Sequence, residues 1–236
     1  MRWLGFIVIL ITSVNCAVGK TAFAARNTRV ASSTCLSQAD VSDAVQRLSS
    51  LNDLEMAEVK KVLFRDAARS RKCRQQVITT LMKAMDKPNL DLVWDRASYS
   101  YWHYGARLLG ELKATEALDL LIAHLNATDG RSPNMTHYPA VNGVIAMGSI
   151  AIPKLAAALG LSTNPILRTY AIFCIASIGG NSAKVALKEA LDVESDQCNR
   201  KFIDASLNAF KNRRTPNRII FDPERSKWYA AFDCHD

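Results

Sequence analysis

The chain has 236 residues, of which 49% are hydrophobic and 22% are charged, with 30 lysines and arginines and 22 acidic residues. Enough apolar side chains are present to build a buried core, which excludes an intrinsically disordered chain. The length fits one ordinary domain or a short array of repeats, and the net charge of +8 is compatible with an anionic partner without requiring one.

The N-terminal residues have the pattern of a secretory signal peptide. Met1-Arg2 is followed by an apolar run, Trp3–Val14, and then by the small-residue patterns Ala-x-Gly at Ala17–Gly19 and Ala-x-Ala at Ala22–Ala24. The apolar run is shorter than the roughly 20 residues that span a membrane, so we expect cleavage rather than a permanent anchor. We predict a signal peptide at 1–24, cleaved after residue 16, 19 or 24, and a flexible mature N-terminus at 25–36. The mature protein would then be secreted or periplasmic.

Cysteine usage also fits an exported protein, because disulfides persist in oxidising compartments. Removal of residues 1–24 would leave five cysteines, so one of them has no partner within the chain. Cys174 lies in the apolar run "AIFCIASIG" and is predicted to be a buried thiol. Spacing alone leaves fifteen arrangements open. We predict that two bridges tie the terminal segments to neighbouring repeats: Cys35–Cys73 and Cys198–Cys234.

Apolar positions at helical spacing begin soon after the mature N-terminus. Stripes of this kind occur at Val41–Leu48, Leu54–Ala68 and Val77–Met85. Ser37 and Asp40 precede the first of them with the spacing of a capping box. These segments therefore predict three helices.

Three later windows, 101–125, 136–159 and 167–191, align with one another. The aligned positions are spaced by four, three, one and three residues, which places them on one face of a helix. The first alignment has a period of 35 residues and the second a period of 31. The aligned residues are Tyr101, Gly105, Leu108, Leu109 and Leu112; Thr136, Ala140, Gly143, Val144 and Met147; and Leu167, Ala171, Cys174, Ile175 and Ile178.

Each window then breaks and opens a second helix. Gly179-Gly180 can adopt the positive φ that ends a helix, and Asn181 or Ser182 would cap the next one. Pro153 costs little in the first turn of a helix and about 3 kcal/mol in its middle. The apolar stretch Gly143–Leu161 is therefore predicted to end one helix and start another, and not to cross a membrane as a single span.

These windows resemble HEAT-like repeats, and the stretches "MGSIAIPKLAAAL" and "RTYAIFCIASIGGNSAKVALKEAL" carry the resemblance. The 31-residue step is similar to the short HEAT-like repeats of phycobilin lyases. The resemblance implies an all-α fold, a right-handed α-solenoid of four to five stacked antiparallel helix pairs. The repeat domain would occupy 37–212, and the non-repetitive tail 213–236 would cap the last repeat.

Motifs for catalysis or for metal binding are missing from the sequence. It has no Gly-x-Ser-x-Gly elbow, no phosphate-binding glycine loop, no Cys-x-x-Cys and no His-x-x-x-His. Asp192, Glu194 and Asp196 alternate like the start of a calcium loop, but Gln197 replaces the required glycine, so we expect a solvated loop. We predict no catalytic residue, no cofactor and no metal, and the protein is not expected to be an enzyme.

In HEAT-like arrays the second helices of successive pairs line one face, and the resemblance implies that a protein partner binds there. The polar positions on that face run from acidic to basic along the array: Glu116, Asp119, Lys154, Lys184 and Lys188. Tyr99, Trp102 and His103 are offset from the core stripe and would extend the face at its acidic end. The alternative is that these aromatic side chains pack against the preceding repeat.

The leading hypothesis is thus a monomeric, non-catalytic scaffold that binds a protein partner in the cell envelope or extracellular space. A second hypothesis is a binder of anionic polymers or membrane surfaces through the basic segments 60–74 and 210–218. Neither segment interleaves aromatic residues for base stacking, so nucleic acid is not expected. An enzyme of unknown reaction is a third and weaker hypothesis, because some HEAT-like proteins do catalyse reactions.

Overall fold

The computed structural model describes residues 34–49, 52–86, 96–127 and 138–211, and these ranges form helices and short 3₁₀ turns without any β-strand. The predicted signal peptide, most of the predicted flexible N-terminus and the predicted C-terminal cap lie outside these ranges. The helices are α1 (Gln38–Gln46), α2 (Asp53–Ala67), α3 (Arg71–Met85), α4 (Arg96–Glu111), α5 (Leu118–Ala123), α6 (Pro139–Met147), α7 (Ile152–Leu161), α8 (Pro165–Ile178), α9 (Gly180–Val193) and α10 (Gln197–Lys211).

The predicted first helices of the repeats are α4, α6 and α8. Helix α4 contacts α6, and α6 contacts α8. Helix α2 also contacts α4, and α8 contacts α10, so the even-numbered helices form an uninterrupted series. The predicted second helices behave in the same way, since α5 contacts α7 and α7 contacts α9. The all-helical part of the prediction is therefore confirmed within the described residues.

The aligned apolar positions lie in the core, as their spacing predicts. Leu108 and Leu109 of α4, Val144 of α6 and Ile175 of α8 are fully buried. Cys174 is a free, buried thiol, which confirms that prediction, and burial raises its pKa far above the ordinary value for cysteine. The 35- and 31-residue periods thus identify the helix faces that pack together.

Helix α8 is buried on every side rather than along one stripe. Nine successive residues, Thr169–Ser177, have little or no exposure to solvent. The reason is that α8 contacts α6, α7, α9 and α10. After its first turn, α8 therefore has no solvent face, and its sequence there is accordingly mostly apolar all round.

The breaks between paired helices occur where the sequence predicts them. Helix α8 ends before Gly179, whose φ of 71° is in the left-handed region that favours glycine. Gly180 follows with a φ of 85° and already begins α9. The predicted capping by Asn181 or Ser182 is wrong, because α9 starts before them and has no side-chain cap.

The apolar segment Pro139–Leu161 is the one described segment that is long and apolar enough to cross a membrane by length and composition. The structure divides it into α6 and α7, separated by the 3₁₀ turn Gly148–Ala151. Gly148 has a φ of 73°, which interrupts the helix, and Pro153 lies in the first turn of α7. The predicted break is confirmed, and each of the two helices is much shorter than the roughly 20 residues needed to span.

Helices α4 and α6 cross at very short distance because small residues lie at the contact. A Cβ added to Gly110 would lie 2.2 Å from the carbonyl oxygen of Gly143, and a Cβ added to Gly143 would lie 2.5 Å from the carbonyl oxygen of Ala106. Both atoms that would be struck belong to the backbone, which cannot rotate away as a side chain can. The crossing therefore requires glycine on both helices.

We expect Gly143→Ala to lower the free energy of unfolding by about 1–3 kcal/mol, because α4 and α6 must separate to admit the methyl group. Chemical denaturation followed by circular dichroism measures this change. Gly160→Ala in α7 is the matched control, since a Cβ there would meet no atom within 4 Å. The control should be as stable as the wild type or more stable by about 0.5–1 kcal/mol. Equal stability of Gly143→Ala and the wild type would contradict the close crossing.

The two predicted disulfides have different outcomes. Cys35 and Cys73 form a disulfide, which confirms the first prediction. Cys198 is also disulfide-bonded. Its predicted partner, Cys234, lies outside the described residues, so the pairing Cys198–Cys234 stays a prediction.

The residues around Cys35 are held against α2 and α3 by hydrogen bonds as well as by the disulfide. Leu36 donates its backbone N–H to the buried Asp66 carboxylate at 3.0 Å and accepts a hydrogen bond from Gln76 at 3.2 Å. Arg69 donates to the carbonyl oxygen of Thr34 at 2.8 Å. The described end of the segment predicted to be flexible, 34–36, is therefore fixed, and that part of the prediction is corrected.

Candidate functional site

The exposed sides of α5, α7 and α9, together with the 3₁₀ turn Thr115–Ala117 before α5, contain the five charged residues predicted to bind a partner. We call this region the second-helix surface. Its two acidic residues are paired with cations of neighbouring helices. Glu116 lies 3.4 Å from Arg74 of α3, and Asp119 accepts a hydrogen bond from Lys154 of α7 at 2.5 Å. Exposed pairs of this kind contribute about 0–1 kcal/mol each. They link α3 to the turn before α5 and link α5 to α7, and they reduce the predicted gradient of free charge.

The two lysines of α9 have different surroundings. Lys184 places its ammonium group 5.9 Å from the centre of the Phe210 ring of α10, within the range of a cation–π contact. Lys188 is exposed. Of the five predicted charges, Lys188 is thus the one that has neither an ion pair nor a ring contact among the described residues.

Trp102 is not available to a partner. It is only 2% exposed, and its ring lies 4.8 Å from the ring of His124. The hypothesis that it contributes to a binding face is therefore wrong. Tyr99 and His103 are half-buried and stack on each other at 5.8 Å, and His103 meets Tyr104 edge-on at 5.1 Å. These ring contacts lie within the aromatic run or reach His124 of the same sequence window, so the alternative of packing against the preceding repeat stays a prediction.

The basic segment 60–74 carries less free positive charge than its sequence suggests. Lys60 forms an ion pair with Glu111 at 2.7 Å, and Lys61 forms one with Glu58 at 2.6 Å. Arg74 contacts Glu116 and also donates hydrogen bonds to the backbone carbonyl oxygens of Leu112 and Lys113, which follow α4. The second basic segment, 210–218, lies almost wholly outside the described residues.

A cleft of about 330 Å³ lies between the C-terminal halves of α7 and α9 on the second-helix surface. Its walls consist of small and aliphatic residues at helical spacing. Polar groups reach it from the loops after the two helices and from α8. The lining residues are Ala156, Leu159, Gly160, Ser162, Arg168, Ala186, Glu189, Ala190, Val193, Glu194 and Ser195.

A buried ion pair between Arg168 of α8 and Glu194 forms the polar side of this cleft. The guanidinium group donates two hydrogen bonds of 2.8 Å to the two carboxylate oxygens, and a third of 3.0 Å to the carbonyl oxygen of Ser162. The side chains are only 13% and 5% exposed. This two-point geometry suits arginine, whose planar fork matches a carboxylate.

Further hydrogen bonds complete the surroundings of Glu194. The Asp196 backbone N–H donates to one carboxylate oxygen at 3.0 Å, and the Asn199 side chain donates to the other at 3.4 Å. Burial alone would raise the pKa of Glu194, but these bonds and the charge of Arg168 outweigh burial and lower it. Glu194 is therefore held as a carboxylate within a largely apolar region.

The loop after α9 differs from the solvated loop that its alternating acids predict. Glu194 is 8% exposed and paired, and Asp196 accepts the Asn199 backbone N–H at 2.8 Å at the start of α10. The expectation of a wholly solvated loop is therefore wrong. Sequence reasoning missed both the ion pair and the cleft, and the available signal was Arg168, an isolated cation in the otherwise apolar helix α8.

No group of three or more histidine, cysteine, aspartate or glutamate side chains converges as a metal site within residues 34–49, 52–86, 96–127 and 138–211. No protein-family model matches the chain, and no curated protein matches it significantly. What the site can do must therefore be inferred from its own residues, which offer a cleft, exposed aliphatic groups and a few free charges.

Proposed function

We propose that this protein is an exported, non-catalytic α-solenoid of HEAT-like repeats that binds a protein partner through its second-helix surface. The observation that carries the proposal is the two parallel series of contacts, α4–α6–α8–α10 and α5–α7–α9. In a solenoid each helix pair has an apolar face that it cannot bury alone, so the next pair covers it. The outer sides of α5, α7 and α9 then form one continuous surface.

Exposed aliphatic residues on this surface support binding of a protein. Leu161 at the end of α7 is 83% exposed, and Val193 at the end of α9 is 75% exposed. Val185, also on α9, is 54% exposed. Protein interfaces combine apolar contacts of this kind with charged residues at the rim, such as Lys188. The ion pairs of Lys60 with Glu111 and of Lys61 with Glu58 reduce the free positive charge of segment 60–74, which supports this proposal over binding of an anionic polymer.

The Cys35–Cys73 disulfide supports the exported location. Disulfides form and persist in the periplasm and the extracellular space, and they are rare in the cytosol. The disulfide at Cys198 agrees with the same environment.

Affinity capture with paired variants tests the proposed surface. The tagged full chain would be incubated with cell-envelope extract, and bound proteins would be identified by mass spectrometry. Ala157 is exposed on α7, and Ala205 is exposed on α10, a first helix. We expect Ala157→Trp to abolish recovery of the partner by blocking its approach, whereas Ala205→Trp should leave recovery unchanged.

Three results would contradict the proposal. One is that the wild type recovers no protein reproducibly, and another is that Ala205→Trp reduces recovery as much as Ala157→Trp. The third is that heparin binds the protein with an affinity that falls steeply with salt and displaces every captured protein, which would favour the polyanion hypothesis. Circular dichroism of both variants checks that the added indole has not unfolded the helices.

A further inference from the structure

The cleft between α7 and α9 is open to solvent and has an aliphatic wall. Ala156 and Gly160 of α7 face Ala186 and Ala190 of α9 across it, and these small residues leave room between the helices. Val193 lines the cleft and is 75% exposed at its edge. The volume of about 330 Å³ is at the lower end of the range for ligand pockets, which suits a single large side chain.

The free charge of the cleft is negative. Arg168 is neutralised by Glu194, and among the described residues it is the only lysine or arginine in the lining. Glu189 also lines the cleft, is exposed, and forms no ion pair with any described residue. Within the described part of the chain, the Glu189 carboxylate is therefore not paired with a cation.

The lysines of the neighbouring helices are directed elsewhere. At 100° per residue, Lys184 and Lys188 lie on the side of α9 opposite to Ala186 and Ala190, and Lys184 contacts Phe210 of α10. Lys154 is paired with Asp119 of α5, on the far side of α7. These cations leave the charge of Glu189 unbalanced within the cleft.

We propose that the cleft receives a lysine or arginine side chain of the partner protein. In the partner's sequence this residue would have an apolar residue on each side. The aliphatic stem would lie along the alanine and glycine wall, and the cationic head would reach the Glu189 carboxylate. The apolar neighbours of that side chain would cover Val193. An anionic group would instead approach an unpaired carboxylate, which disfavours binding. This inference rests on the proposed function and names the chemistry of the partner.

Peptide probes test the inference without the partner. The probes are two capped tripeptides, leucine-arginine-leucine and leucine-glutamate-leucine, titrated into the ¹⁵N-labelled full chain and followed by NMR chemical shifts. We expect the arginine peptide alone to shift the amide signals of Gly160 and Val193. Glu189→Lys should weaken its binding about tenfold or more, because it replaces attraction by repulsion. Asp192→Lys is the matched control, since Asp192 is exposed on the same helix but does not line the cleft. It should weaken binding by less than about threefold.

Several results would overturn the inference. Equal binding of the two peptides, equal effects of Glu189→Lys and Asp192→Lys, or no shift at Gly160 and Val193 would each do so. Shifts of the same amides with protein concentration alone would show that a second copy of the chain occupies the cleft instead.

The capture experiment separates this inference from the proposed function. If the wild type captures a partner that Ala157→Trp loses and Glu189→Lys retains, the second-helix surface is correct and the cleft is not the site. If no partner is captured although the arginine peptide binds, the proposed function fails and the cleft remains a cation-binding site.

Discussion

Glu194→Gln is expected to destabilise the protein by about 3 kcal/mol at neutral pH, because it leaves the buried guanidinium of Arg168 without its counter-charge. The amide retains one acceptor oxygen, but its NH2 group cannot accept the second hydrogen bond from Arg168, and it carries no charge. Thermal and chemical denaturation measure the loss. Glu58→Gln is the matched control, since Glu58 forms an exposed ion pair with Lys61 whose side chains are 68% and 56% exposed. That substitution should produce no measurable change.

The pH dependence of this difference tests its cause. The pKa of Glu194 is lowered in the folded protein, so its charge adds stability above the unfolded value of 4.5. This stability is lost as the pH falls from that value through the lower folded pKa. The stability gap between the wild type and Glu194→Gln should therefore close below about pH 4.5. A gap of constant size across this range would show that packing, and not charge, is lost.

The double substitution Cys35→Ser with Cys73→Ser is expected to lower the free energy of unfolding by about 3–4 kcal/mol. The disulfide closes a loop of 38 residues, and opening it lets the unfolded chain explore more conformations. Denaturation under oxidising conditions measures the effect. Reductant should destabilise the wild type more than the variant, because the variant lacks the Cys35–Cys73 disulfide. Equal stability of the two oxidised proteins would contradict this account.

Sequence periodicity predicted the helices well because it depends on short-range geometry. The stripe through Leu108 and Leu109 recurs at Gly143 and Val144, and all four residues are buried. The break at Gly148 and Pro153 was predictable for the same reason, since both residue types restrict the backbone in a known way.

Burial outside the stripe was harder to predict. Trp102 follows a stripe residue by one position, or about 100° around the helix, and was therefore expected at the surface. A helix with neighbours on several sides buries a wider face than one stripe, and Trp102 lies in that extra width against His124. Periodicity alone does not reveal how many neighbours a helix has.

The cleft could not be predicted because it depends on long-range pairing. Arg168 and Glu194 are 26 residues apart, and their contact requires that α8 and α9 have already packed. Glu189 likewise becomes distinctive only when the structure shows which charges are neutralised. The residue types along the chain identified charged candidates for partner binding. Which of these charges are neutralised by an ion pair depends on three-dimensional proximity, which the sequence does not show.

The burial of Thr169–Ser177 in α8 has a consequence for the way the protein opens. Because α8 contacts α6, α7, α9 and α10, it cannot separate from the molecule until helices on both sides have moved. In proteins whose units contact only their neighbours, opening spreads from positions that have fewer neighbours. Helix α8 therefore couples the motions of the helices before and after it. A partner seated between α7 and α9 would therefore lie beside a helix whose buried amides are expected to exchange slowly.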